Sequence, residues 1–311
     1  MNRVIAVACA ASLLLFSYGC STTRYGSGPV GSLMRNPAHG AVVHQHVAPG
    51  SDKHQDRIFT DYCMNAGCAG CARFSVSLPK TVPAGGLPIV IVLSGLDAGQ
   101  HSLDLVPDHS GYAVIAYEYP EALHEAEGVG TVFQAGNIKD AVDSIPGQVL
   151  VISDWARTQP WSDGKPASLI GVSLGGMLLP ATFHLAQMQC HELGPSVIGY
   201  SGAGLYPIIY RHLETPAVVR GVAALFATSV LNNIEPSMHL PCIEGDFLIV
   251  ESNCDEQIPY GARERLKCLL PDPKTVITLD TCHIEADRPE IIDEFYGVAR
   301  KWLDEHRALM D

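Results

Sequence analysis

The sequence predicts an alpha/beta protein: a mostly parallel, twisted sheet with helices on both faces and a small helical cap. Three observations predict it. From about residue 60 onward, short runs rich in Val, Ile and Leu alternate with segments of helical period, the order that strands and crossover helices produce. Two of these runs, within LPIVIVLSG at 87–95 and ASLIGVSLGG at 167–176, stay apolar at consecutive positions and end on glycine, as strands buried on both faces do. The chain then reaches EIIDEFYGVARKWLDEH at 290–306, where apolar residues recur at helical spacing.

The elements follow in chain order. ARFSVSLP at 72–79 alternates polar and apolar residues and reads as an early edge strand, followed by the buried strands at 87–95 and, in YAVIAYEYP, at 112–120. NIKDAVDSIPGQVLVISDWART at 137–158 has helical period, with Pro146, which lacks a backbone donor, marking a kink or a late start. A strand and tight turn at 167–176 lead into a helix at 177–192, and SVIGYSG at 196–202, GDFLIVES at 245–252 and KTVITLD at 274–280 are three more strands. An excursion at about 203–243 interrupts this series and supplies the cap. One domain over 60–311 accounts for the series, and no internal repeat is visible.

The N-terminal region is of a different kind. Residues 1–19 join a positive start, Met1-Asn2-Arg3, to the apolar run VIAVACAASLLLF and to small residues at Ser17 and Gly19, the pattern of a secretory signal cut before Cys20. The ending LFSYGC also resembles the lipobox of bacterial lipoproteins, which implies lipidation of Cys20 and anchoring of an exported protein in the cell envelope. Ser17 stands where that motif prefers an aliphatic residue, and ordinary signal peptidase would cut at the same bond. By the same resemblance, Ser21 implies sorting to an outer membrane where the host has one. Residues 20–59, rich in Gly, Ser, Pro and His, read as a tether, and His39, His44 and His46 within it as solvated.

Composition narrows the partners. A chain of 311 residues that is 47% hydrophobic can bury a large core. Charged residues are 17%, and acids outnumber bases 33 to 20, so no basic stripe is available to neutralise phosphates. That argues against nucleic acid as a partner. Without Cys9 and Cys20, eight cysteines remain, an even set that suggests disulfides in an exported protein. CMNAGCAGC at 63–71 also has a C-x4-C-x2-C spacing used by iron-sulfur proteins, but an oxidising compartment favours disulfides there. Cys254 and Cys282 each precede a candidate site residue, and a bond between them would clamp two loops together; Cys242 to Cys268 is a competing pairing.

The chemistry centres on Ser173, held in Gly-Val-Ser-Leu-Gly where strand gives way to helix. The glycines either let helix and strand pack closely or present the hydroxyl as a nucleophile on a sharp turn. A serine nucleophile needs a base, and the base needs an orienting acid. Asp255 follows the strand at 245–252, and His283 follows the strand at 274–280. Glu251 and Asp280 are rival acids at strand ends; His101 and His109 either touch substrate or lie at the surface; His184 and His191 fall in the helix after Ser173.

Together these motifs resemble the alpha/beta-hydrolase superfamily from about residue 60 to the C-terminal helix. The order Ser173, Asp255, His283 is that family's order. The resemblance implies a serine hydrolase acting on carboxylic esters or thioesters through an acyl-enzyme, with Ser173 as nucleophile, His283 as base and Asp255 as its orienter. It places the oxyanion-binding amides at Leu96 and Leu174, and implies a small-molecule or lipid acyl substrate with no metal or organic cofactor. An acyltransferase or peptidase would use the same three groups, and a non-catalytic envelope binding protein would use none. Ser94 stands where relatives commonly have histidine, which raises the question of what anchors the loop carrying Leu96. In the cap, Leu205, Tyr206, Ile208 and Ile209 either line an apolar acyl or aryl pocket or pack the cap down.

Overall fold

A computed structural model describes residues 41–49, 52–124 and 134–310; the expected signal segment, Cys20, Ser21 and His39 lie outside them. Six strands, β4 (Ile89–Leu93), β5 (Ala113–Glu118), β6 (Ser168–Val172), β7 (Ser196–Gly199), β8 (Phe247–Ser252) and β9 (Lys274–Leu279), run parallel in the order β5-β4-β6-β7-β8-β9. Antiparallel to β5 lies β3 (Cys71–Pro79), and beyond it β2 (Arg57–Asn65) and β1 (Ala41–Pro49) complete a nine-stranded sheet.

The central strands are apolar throughout because both faces are covered. In β4, Ile89, Ile91 and Leu93 enter one core while Val90 and Val92 enter the other. Helices α1 (Ala135–Arg157) and α2 (Leu174–Met188) cover the first face, and α6 (Pro289–Arg307) covers the second through Ile292, Phe295, Ala299 and Trp302. The mostly parallel sheet with helices on both faces is the expected architecture.

Several local expectations are corrected. The sequence 72–79 is not an edge strand, because β1 and β2 extend the sheet beyond it. Part of the expected tether is therefore sheet: Val42–Val47 of β1 are exposed along their length, and His44 and His46 sit there. Pro146 does not mark a late start of α1, which begins at Ala135 and continues through it to Arg157. Every residue from 142 to 153 of that helix is buried, and this packing outweighs the loss of one backbone donor. Cys63 and Cys71 form a disulfide across the β2–β3 hairpin, with their Cα atoms 6.2 Å apart. Cys254 and Cys282 are unbonded, as are Cys242 and Cys268, so the two loops are not joined through sulfur.

The excursion after β7 forms α3 (Leu205–His212) and α4 (Ala217–Val230). Gly204, at φ +98°, turns the chain into α3, and the buried Glu235 carboxylate accepts the first free amides, Gly204 N–H at 2.8 Å and Leu205 N–H at 2.6 Å. At the other end, Arg211 Nε donates to the Glu256 carbonyl at 2.5 Å. The cap is thereby tied to the loop after β8. A helix α5 (Tyr260–Leu269) follows that loop. Among the described residues, no helix is long and apolar enough to cross a membrane.

Candidate active site

Ser173 lies between β6 and α2, capping the helix, in a backbone conformation of φ 54° and ψ −114°, a strained geometry for a residue with a Cβ. Its neighbours explain why the strain persists. A Cβ on Gly171 would stand 2.4 Å from Leu179 Cδ1, and one on Gly175 would stand 1.9 Å from the Leu93 carbonyl oxygen. Glycine at these positions lets the start of α2 press against the ends of β6 and β4. The turn packs helix closely against strand and places the Ser173 hydroxyl at the carboxyl edge of the sheet.

The strand order brings the other two groups to the same edge, since β7 and β8 separate β6 from β9. His283 Nε2 lies 3.1 Å from Ser173 Oγ, and His283 Nδ1 lies 2.9 Å from Asp255 Oδ2. The Asp255 side chain is fully buried, and its other oxygen accepts the N–H groups of Gln257 and Ile258, both at 2.8 Å. Those bonds orient the carboxylate without competing for the oxygen that faces the imidazole. The ring of Tyr200 packs edge-on against His283 with centroids 5.7 Å apart, and its hydroxyl bonds Thr281 Oγ1 at 2.8 Å.

The rivals are placed elsewhere. Glu251 accepts from Lys267 Nζ at 2.7 Å and Thr278 Oγ1 at 3.2 Å, while exposed Asp280 faces the Cys254 thiol at 3.6 Å. His101 is exposed, but His109 is buried, contrary to a surface reading, and its Nδ1 meets Ser77 Oγ at 2.8 Å. His184 bonds His239, and His191 pairs with Asp154 at 3.1 Å.

Two features escape a reading of sequence. Glu256, next to Asp255, accepts the backbone N–H of His283 at 2.9 Å and pairs with Arg288 at 2.9 Å, while Arg288 also donates to the His283 carbonyl at 3.0 Å. An ion pair therefore clamps the acid loop to the histidine loop where sequence suggested a disulfide. Partial burial opposes the charged form of Glu256, but the His283 amide and Arg288 outweigh it and hold the carboxyl at about 2. The adjacency of Asp255 and Glu256 with a later arginine was the available signal.

The second is His212, on the last turn of α3. Burial lowers its pKa, neighbouring His283 and Arg211 lower it further, and Asp255 opposes them. It lines a groove of about 860 Å³ with Tyr206, Tyr210, Arg211, Arg220 and Gln257. Of the four cap residues proposed for a pocket, only Tyr206 faces this groove. Leu205 and Ile208 are buried in the core and Ile209 packs against it, so these three hold the cap down.

Leu174 is the first residue of α2, so its N–H has no intrahelical partner. Leu96 lies in the turn after β4, the strand that α2 touches through Gly175. Among the described residues, no group of three or more His, Cys, Asp or Glu side chains is placed to hold a metal.

A serine on a strained strand-to-helix turn, met by an imidazole and a carboxylate from the two last strand ends, defines a class of alpha/beta protein. The chain has the alpha/beta-hydrolase fold. Solved structures agree: an acetyl xylan esterase from a Paenibacillus species is similar with a TM-score of 0.60 at 14% identity, covering 87% of this chain and 92% of that one. Acetyl xylan esterase 1 from a Thermoanaerobacterium species gives 0.57 at 16%, over 83% and 87% of the two chains. Carboxyl esterase 2 from the mycorrhizal fungus Tuber melanosporum gives 0.56 at 15%, over 82% and 89%. No protein-family model matches the chain, and no curated protein matches it in sequence.

Proposed function

We propose that the chain is a serine hydrolase that cleaves carboxylic esters, and by the same chemistry thioesters, through an acyl-enzyme. The observation that carries this reading is one imidazole held between a hydroxyl at 3.1 Å and a buried carboxylate at 2.9 Å. In the first half-reaction His283 Nε2 takes the Ser173 proton as Oγ adds to the ester carbonyl, and Asp255 stabilises the imidazolium. The oxyanion receives the N–H groups of Leu96 and Leu174. Losing one such donor costs about 2.7–4 kcal/mol of transition-state stabilisation. His283 then protonates the departing alcohol or thiol. Water, deprotonated by the same imidazole, resolves the acyl-enzyme. The clamp of Glu256 and Arg288 fixes the ring through both transfers.

The groove beside His212 is where we place the leaving group. Two tyrosines, two arginines, two glutamates and a histidine suit a polar or aromatic alcohol better than a long aliphatic chain. The structural neighbours named as acetyl xylan and carboxyl esterases support ester substrates.

A fluorophosphonate probe tests the assignment. Native protein should label and lose labelling in Ser173→Ala, and turnover of p-nitrophenyl acetate should drop by roughly 10⁵–10⁶ in that variant and about 10⁴ in Asp255→Asn. Folded protein that neither labels nor turns over would favour a binding protein instead. An acyltransferase would show product partitioning to added alcohols at the expense of hydrolysis.

We also propose export and anchoring through a lipid on Cys20, on the strength of the N-terminal pattern in the sequence. Metabolic labelling with a palmitate analogue should mark the envelope fraction, and labelling that persists in Cys20→Ser would refute the anchor.

A further inference from the structure

We infer that Tyr119 and Glu118, at the carboxyl end of β5, are positioning residues that hold the loop after β4 so that the Leu96 amide stays aimed at the oxyanion. The inference rests on the reading of Ser173 as nucleophile, and it answers what anchors this loop when Ser94 replaces the expected histidine.

The loop is pinned at both ends and across its middle. At its start, the Tyr119 hydroxyl donates to the Ser94 carbonyl at 2.5 Å. At its far end, Glu118 Oε2 accepts the Gln100 N–H at 3.0 Å, and its other oxygen faces His124 Nε2 at 3.1 Å. Between them, the one proton of Ser94 Oγ has the Gly95 carbonyl at 3.2 Å and the Gly99 carbonyl at 3.3 Å as acceptors, and the Ala98 N–H closes a turn on the Gly95 carbonyl at 3.2 Å. Leu96 lies inside this frame, its side chain packed on the core.

Both anchors come from β5 because β5 is the parallel neighbour of β4, so their strand ends emerge side by side. Tyr119 is fully buried, and its ring stands edge-on to Tyr117 with centroids 5.4 Å apart. A hydroxyl on a ring packed this way has one direction to point. Gly99, at φ +43°, completes the fit: a Cβ there would stand 2.5 Å from Glu118 Oε2 and push the carboxylate off the loop. A backbone amide cannot be aimed by its own side chain, so alignment must come from what holds the flanking peptides. Ser94 O and Gln100 N are those handles.

The test separates aiming from folding. Tyr119→Phe removes one hydroxyl, and Gly99→Ala disturbs the Glu118 anchor from the opposite side. Tyr117→Phe is the control, since Tyr117 is as deeply buried and bonds Gln148 at 2.6 Å away from the loop. Each protein is measured for kcat and KM on p-nitrophenyl acetate and for Ki of an alkyl trifluoromethyl ketone. Ser173 adds to that ketone carbon, its proton passes to His283, and the hemiketal oxygen occupies the oxyanion site.

We expect Tyr119→Phe and Gly99→Ala to lower kcat and raise Ki in parallel, by about tenfold or more, with KM within about twofold of native protein. Tyr117→Phe should leave the ratio of Ki to KM unchanged. Should Tyr119→Phe fail to fold, Gly99→Ala carries the same reading. Unaltered Ki in the folded loop variants, or equal rises of Ki and KM, would overturn the inference while leaving the hydrolase intact. Native protein that neither turns over ester nor binds the ketone would overturn the hydrolase itself and this inference with it.

Discussion

At the scale of single residues, the site depends as much on the groups around His283 as on those that would react. Asp255 Oδ2 meets the ring at Nδ1, 2.9 Å away, but the ring's position along the loop is set by backbone bonds, the His283 N–H to Glu256 and the His283 carbonyl to Arg288. Glu256→Ala removes the first of these, and misplacing a base by a fraction of an ångström should cost roughly tenfold in kcat with little change in KM. The sign of its pH dependence follows from the depressed pKa. A carboxyl held at about 2 is ionised in the folded chain across the range above pH 4, so its contribution is lost only as pH falls toward 2. Glu256→Gln should therefore lower the rate without adding or removing a limb of the pH–rate profile above pH 4. A limb near pH 4 that native protein shows and the variant lacks would show that Glu256 titrates as part of the site. Ser173, Asp255 and His283 were legible in sequence as a set because each follows a recognisable strand. Glu256 was not assigned, because its adjacency to Asp255 does not by itself say that the carboxylate bonds the His283 backbone amide, and no spacing marks such a bond.

At the scale of elements, legibility tracked burial. Strands β4 to β8 are buried on both faces, so their consecutive apolar residues announced them without help from neighbours. The first two strands carry no such mark. Residues 42–47 of β1 are exposed, so its three valines and two histidines obey no alternation, and a segment without alternation reads as tether. In β2 the burial pattern is irregular, and its cysteine drew attention to spacing rather than to the strand. The misassignment of β3 as an edge followed directly, since an edge is defined by what lies beside it. The cap shows the converse. LYPIIYRHL has apolar residues on one helical face, and from sequence a face that packs inward cannot be told from one that lines a pocket. Leu205 and Ile208 went to the core, and the groove was left to Tyr206, Tyr210, Arg211 and His212 of the same helix with residues from α4 and the loop after β8.

At the scale of the whole molecule, the long excursion of the sheet toward β1 and β2 brings a cost that should appear in global stability. Arg57 of β2 donates to Ser77 Oγ at 2.7 Å, to the His109 carbonyl at 3.0 Å and to the Tyr112 carbonyl at 2.7 Å, knitting β2 and β3 to the turn before β5. His109 is buried within this knot, stacked on His54 with ring centroids 4.1 Å apart. Burial above all, with His54 and Arg57 beside it, pulls its pKa down to about 3 despite opposing contributions from the Leu103 backbone and Asp108. An imidazole in the unfolded chain titrates near 6.5. Between those two values the unfolded state binds a proton that the folded state refuses, so stability falls as pH drops below about 6.5 and continues to fall toward 3. At pH 5 the loss from this one residue is about 2 kcal/mol. His109→Asn keeps a polar atom for Ser77 and removes the titration. Thermal melts at pH 7.5, 6.5 and 5, where most carboxylates stay ionised, should show the native protein losing Tm steadily while the variant, less stable at pH 7.5, declines less. Parallel declines in the two proteins would mean that the knot opens enough on acidification for His109 to be protonated in place, and that the acid sensitivity of the fold lies elsewhere.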